Sequence, residues 1–142
     1  MSTDLQSRQE AIVEEFSFFD DWMEKYEHVI ELGKELPPMP DALKLPEHLI
    51  RGCQSQVWLI AEKSADGTIH FQADSDAIIT KGLVALMVRV LDGLDPAAVA
   101  GAELWFISKI GLDTHLSPTR ANGLQSMVLQ MKRYGIAFQA QD

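Results

Sequence analysis

One residue in the chain has a strongly nucleophilic side chain: Cys53, the only cysteine, set in the stretch LIRGCQSQVWLIA at 49–61. As thiolate its sulfur can attack persulfides, disulfides and acyl groups, while the protonated thiol is a poor nucleophile. A free thiol titrates near pH ~8.5, so most of it is protonated at neutral pH. Arg51 is the nearest cation in sequence, ~6–7 Å away on an extended chain. Gly52 allows backbone angles that bulkier residues avoid, which puts Cys53 at the tip of a turn feeding a strand that begins near Ser55. Such a tip can offer a thiol to a partner while the sheet behind it stays rigid. The other reading is a buried structural thiol, the common fate of a free cysteine. A strand register shifted by two would hide the sulfur, and spacing alone leaves both readings open.

Other chemistry-bearing residues give weaker signals. A cysteine-dependent hydrolase needs a histidine within hydrogen-bond reach of the thiol and a third group to orient it. His28 reads as a solvent-facing mid-helix residue, His48 lies five residues before Cys53, His70 falls on the outer face of a strand, and His115 sits in a loop. No local signature joins any of them to Cys53. Asp74 and Asp76 read as helix caps rather than an acid/base pair. One thiol and four histidines make a poor metal inventory, so no metal or cofactor site is expected.

Bulk properties narrow the function classes. The 142 residues are 46% hydrophobic and 23% charged, ordinary material for one globular domain spanning 1–142. A net charge of −9, from 12 basic and 21 acidic residues, opposes nucleic-acid binding through phosphate neutralisation. The longest apolar run, LVALMV, ends at Arg89 and falls short of the ~18 residues of a membrane span. A single cysteine forms no internal disulfide, and MSTDLQSRQE has neither basic nor apolar signal regions, so a cytoplasmic location is expected.

The elements that must position Cys53 follow from periodicity. Ile12, Val13, Phe16 and Phe19 recur at helical spacing, and Asp20 or Asp21 caps a second helix with Trp22, Tyr26, Val29, Ile30 and Gly33 on one stripe. The prolines of LPPMP end it and open a loop over 37–48. SQVWLIAEK, the SADG turn and TIHFQAD form a hairpin with Ile69, Phe71 and Ala73 inward, and Leu49–Arg51 is long enough for a short third strand. Asp74–Asp76 supply caps for a helix whose stripe is Ile79, Leu83, Leu86 and Val90. Asp95-Pro96 opens a short helix closed by Gly101, ELWFISKIG forms another, and Ser117-Pro118 opens a long final one carrying Leu124, Met127, Val128, Met131 and Tyr134. Helices, a small antiparallel sheet of three strands, then helices define an α+β fold.

Three blocks, GCQSQVWL at 52–59, DSDAIITKGLVAL at 74–86 and SPTRANGL at 117–124, resemble in order and spacing the SufE-like sulfur-acceptor family. ELPPMP and the HLIRG approach to the cysteine are similar too, so the resemblance runs from the Trp22 helix to near the end of the chain. It implies a fold like that of IscU-type scaffolds. It also implies a non-enzymatic sulfur carrier that stimulates a pyridoxal-phosphate cysteine desulfurase of the SufS or CsdA type. Such a carrier takes persulfide sulfur and passes it to an iron–sulfur cluster scaffold. Carried across, Cys53 is the acceptor and Gly52 and Gln54 shape its loop. Arg120 lies near the cysteine or at the partner surface, Asp76 matches a position near the loop, and Arg51 joins them as a partner-facing residue. Ala73 and Thr119 depart from the family's frequent Gly and Ser, both as small-for-small exchanges. Because a persulfide exposed to oxidants would be lost to further oxidation, the cysteine turn is expected to have two positions, one tucked beneath apolar neighbours and one extended into the partner, with Gly52 as hinge. The readings from other classes are a cysteine-dependent hydrolase or thiol redox sensor, and an interaction adaptor with a buried thiol.

Overall fold

Local capping signals start three of the described helices. In the computed structural model, which describes residues 2–53 and 55–140, α1 (Ser2–Phe16) buries Leu5, Gln9, Ile12 and Phe16, one residue per turn. The buried Gln9 amide is satisfied at both ends: it donates to the Glu103 carbonyl at 3.1 Å and accepts from the Phe106 N–H at 3.1 Å. Asp21 caps α2 (Trp22–Glu35) by accepting from the Glu24 N–H at 2.9 Å. Asp95 does the same for α4 (Pro96–Ala100) from Ala98 at 2.7 Å, and Gly101 ends that helix. The Ser117 hydroxyl caps α7 (Pro118–Ala140) by accepting from Arg120 at 3.3 Å.

The core collects around α3 (Ile78–Leu91), which packs against α2, α7, α1 and the sheet. Leu83, Val84, Leu86, Met87, Val90 and Leu91 are all buried there. Burying one such side chain contributes ~1.5–3 kcal/mol, so this helix holds a large share of the apolar driving force. α2 crosses α3 where Gly33 meets Gly82; a Cβ on Gly33 would lie 2.8 Å from the Gly82 nitrogen. Only two glycines permit that approach.

Strands β1 (Val57–Lys63) and β2 (Ile69–Ser75) pair antiparallel from Val57↔Ser75 to Lys63↔Ile69. Ile69, Phe71 and Ala73 face the core, and His70 and Gln72 face solvent, as the alternation requires. The third strand expected at Leu49–Arg51 does not form: the sheet has two strands, and Leu49 adds a single bridge to Trp58. A 3-10 turn at Pro46–His48 ends just before Leu49, and the chain turns again at Gly52, leaving too little extended backbone for a ladder. ELWFISKIG is helical only over its middle. Its one short helix is α5 (Phe106–Lys109); beyond Gly111 (φ 87°) a further short helix, α6 (Leu112–His115), follows.

Asp74 corrects the cap expectation. The N-terminus of α3 is capped by neither aspartate; the Ala77 N–H is taken by the Ser75 hydroxyl at 3.2 Å. Asp74 is instead a buried ionic hub joining three segments. It accepts from Met39 N–H in the proline loop at 3.1 Å and from its neighbour Ser75 at 2.8 Å. Lys81 of α3 lies 3.3 Å away and Lys44 of the loop 3.5 Å, the latter also 5.2 Å over the Trp58 ring. Burial pushes this carboxyl up, but the Met39 and Ser75 N–H groups and the Lys81 ammonium outweigh it and hold it below its ordinary value. A depressed carboxylate stabilises the fold above its unfolded pKa of ~3.9, and that contribution is lost as pH falls through the folded value. Asp74→Asn is therefore expected to lower stability at pH ~7 by ~3 kcal/mol, with a deficit that shrinks toward pH ~2. Urea unfolding across that range measures it; a deficit independent of pH would contradict the ionic account.

Candidate functional site

The cysteine turn is fixed at its base, its middle and its exit. At the base the Ile50 N–H donates to the Val57 carbonyl at 2.9 Å, next to the Leu49–Trp58 bridge. In the middle Gly52 takes φ 94°, and a Cβ there would stand 2.5 Å from the Ser126 hydroxyl on α7. The angle favours glycine, and a Cβ there would displace the Ser126 hydroxyl. At the exit, Gln56 and Asp76 pair reciprocally: the Gln56 N–H reaches Asp76 Oδ1 at 3.0 Å and the Asp76 N–H reaches the Gln56 carbonyl at 3.3 Å. The Ser75 hydroxyl adds a bond to the same carbonyl at 2.8 Å. The turn thus lies across the first half of α7, tied to the start of α3.

Cys53 is half-buried on α7. Its Sγ donates to the Gly123 carbonyl at 3.5 Å, and a Cβ on Gly123 would sit 3.5 Å from that sulfur. The thiol opens onto a cavity of about 250 Å³ that Leu83, Gly123 and Met127 line together with Ser55, Thr80, Ser117, Thr119 and Arg120. The Arg120 guanidinium donates to the Tyr26 hydroxyl of α2 at 2.6 Å, which fixes the one cation among the described residues lining the cavity. Burial pushes the Cys53 thiol up, so the resting sulfur is a protonated thiol at neutral pH.

Of the residues singled out in the sequence, Cys53 and Arg120 share this cavity, and Gly52 shapes the turn. Asp76 pins the exit of the turn without lining the cavity. Arg51 is exposed and lines a different cleft, with Ser126, Leu129 and Arg133. Gln54 lies outside the described residues. Among the described residues no histidine lines the cavity. His28, read as solvent-facing, is instead half-buried, bonded to Glu15 and packed on the Phe16 and Phe19 rings. His48 bonds the Leu43 carbonyl at 2.8 Å, and His115 stacks on Trp22 at 4.4 Å. Sequence reasoning missed Thr80, Gly123 and Tyr26. The first two sit inside the blocks DSDAIITKGLVAL and SPTRANGL, but Tyr26 is 94 residues from Arg120 and no local signal links them.

Two expectations test this geometry. Iodoacetamide alkylation of Cys53 should titrate with a midpoint above the ~8.5 of an exposed thiol, because the folded state favours the protonated form. A midpoint below that value would contradict the sheltered thiol. Gly52→Ala places a side chain at positive φ and against Ser126, costing ~1–2 kcal/mol locally. The turn should then open ~5–30-fold more often, and alkylation at fixed pH should accelerate accordingly. An unchanged rate would show that the glycine does not hold the thiol in place.

Comparison with known proteins agrees with this architecture. A SufE-like protein of Rhizobium meliloti, itself uncharacterized, is 40% identical over 127 residues, covering 87% of this chain and 91% of the relative. Another uncharacterized SufE-like protein, from Rhizobium etli, is 42% identical over 127 residues, covering 87% and 86%. The solution structure of a hypothetical protein from Thermus thermophilus superposes with a TM-score of 0.76 over 94% of this chain and 96% of that one; at 20% identity it supports the fold alone. The family profile described as "SufE: Fe-S metabolism associated domain" matches residues 10–135, and the chain belongs to the SufE family, whose domain is associated with iron–sulfur metabolism.

Proposed function

We propose that this chain is a sulfur acceptor and activator of a pyridoxal-phosphate cysteine desulfurase, taking persulfide sulfur on Cys53 and passing it to an iron–sulfur cluster scaffold. One observation carries the reading: a lone thiol on a glycine turn, bonded only weakly to a backbone carbonyl at 3.5 Å, beside a hydroxyl-lined cavity holding one fixed cation. Family membership and its iron–sulfur association supply the chemical context.

The transfer balances without an oxidant or reductant. Cys53 loses its proton, and its thiolate attacks the outer sulfur of the desulfurase's persulfide. A sulfur–sulfur bond forms to Cys53 as the donor's bond breaks, and the donor cysteine leaves as thiolate. Arg120 would favour the thiolate and the persulfide anion in the cavity. Burial opposes ionisation at rest, so the tucked thiol is guarded from oxidants and from stray electrophiles. Docking then swings the turn outward about Gly52, whose angle and seat against Ser126 make it the hinge. A cysteine-dependent hydrolase fits less well: its base histidine would have to reach a cavity that no described histidine lines. The setting proposed for this role is the cytoplasm; among the described residues no helix is long and apolar enough to cross a membrane.

Incubation with a SufS- or CsdA-type desulfurase and free cysteine should add about 32 Da, one sulfur atom, to Cys53 by mass spectrometry. Cys53→Ser should remove both the adduct and the stimulation of desulfurase turnover. An unmodified Cys53 beside a turning-over desulfurase would end this reading, and acylation of Cys53 by a simple ester would favour the hydrolase.

A further inference from the structure

Five arginines occur in the chain. Arg8 donates to the carbonyls of Val90 and Asp92, Arg89 to Glu15, and Arg120 to Tyr26. The remaining two, Arg51 and Arg133, have no hydrogen-bond or ion-pair partner among the described residues, and both line one cleft of about 270 Å³. Among the described residues none that lines the cleft carries a carboxylate, although acidic residues outnumber basic ones 21 to 12 in the sequence. Its floor includes Leu129, a large apolar side chain left 51% exposed. Its wall includes Ser126, the residue on which Gly52 rests, so the cleft is the back of the cysteine turn. An arginine fork binds carboxylate in bidentate fashion, and a desolvated pair is stronger than one fully exposed.

We infer that this cleft is a second docking point, separate from the Cys53 cavity. Its occupant is an acidic segment of the desulfurase, with a carboxylate between Arg51 and Arg133 and an adjacent apolar side chain on Leu129. The inference rests on the functional reading above, since it assumes the desulfurase as partner. It assigns Arg51 to partner capture rather than to tuning the thiol, and adds Arg133 and Leu129 to the surface. Because residues 51 and 53 flank Gly52, a partner held in the cleft is anchored beside the place where the sulfur must emerge.

The test is the dissociation constant of the full chain for a purified SufS- or CsdA-type desulfurase, by calorimetry at low and high salt. Arg51→Glu/Arg133→Glu should weaken binding at least ~10-fold at low salt and flatten its salt dependence. A control with the same change in net charge, Lys34→Glu/Lys109→Glu on other faces, should weaken it far less. Arg51→Lys/Arg133→Lys should retain part of the affinity, and thermal unfolding of each variant checks that it is folded. Equal weakening by the control pair would reduce the effect to general charge and overturn the proposal, as would wild-type affinity in the double arginine variant. Wild-type chain that does not bind the desulfurase at all would overturn the functional reading, and the cleft's role with it.

Discussion

The bond from the Ile50 N–H to the Val57 carbonyl decides what kind of site this chain has. It closes the ends of the segment that contains Cys53, so the chain there turns back on itself rather than continuing the sheet. Everything around it then serves to seat that turn. Gly52 sets its angle, Ser126 and Gly123 of α7 provide its bed, and Asp76 pins its exit to the start of α3. The elements beneath are far more firmly held than the turn itself. α3 is apolar on most sides, and Asp74 binds the proline loop, β2 and α3 through two lysines and two backbone amides. A turn anchored at its two ends on a stiff base is how a small domain keeps one group movable.

The chemistry follows from the same contrast. A thiol exposed to solvent would be easier to ionise but also easier to oxidise and alkylate. Here burial holds the sulfur protonated, with a backbone carbonyl as its hydrogen-bond acceptor. In the proposed transfer, reactivity is therefore a property of the complex rather than of the free chain: ionisation becomes favourable once the sulfur leaves its bed or another positive group approaches. Arg120, fixed by Tyr26, gives the cavity a standing positive charge that would suit the anionic species of the proposed transfer. No described histidine lines the cavity, and in the proposed transfer it is partner docking that frees the thiol.

Signals that act within a few residues were legible in the sequence. Asp21, Asp95 and Ser117 bond amides three residues on, so their caps could be read directly. The alternation of Ile69, Phe71 and Ala73 gave the hairpin face, and Gly52 before Cys53 marked the turn. Long-range partners were not legible. Asp74 looked like a cap because its acceptor role depends on Met39, 35 residues upstream, and on Lys44. His28 looked solvated because Glu15 and Phe16 belong to another helix. Arg51 and Arg120 were grouped by family resemblance; only the fold shows that they line different clefts. The third strand failed for a reason of length: a single bridging residue between two turns meets the periodicity without making a ladder.

The central claim is that the cysteine turn leaves α7 when the chain docks on its sulfur donor. A structure of the complex with a persulfide-bearing desulfurase measures this directly. The account predicts that the contact between Cys53 Sγ and the Gly123 carbonyl, 3.5 Å in the free chain, is broken, with Sγ facing the donor persulfide and the rest of α7 unmoved. A complex competent for transfer in which Cys53 still rests on Gly123 would contradict it.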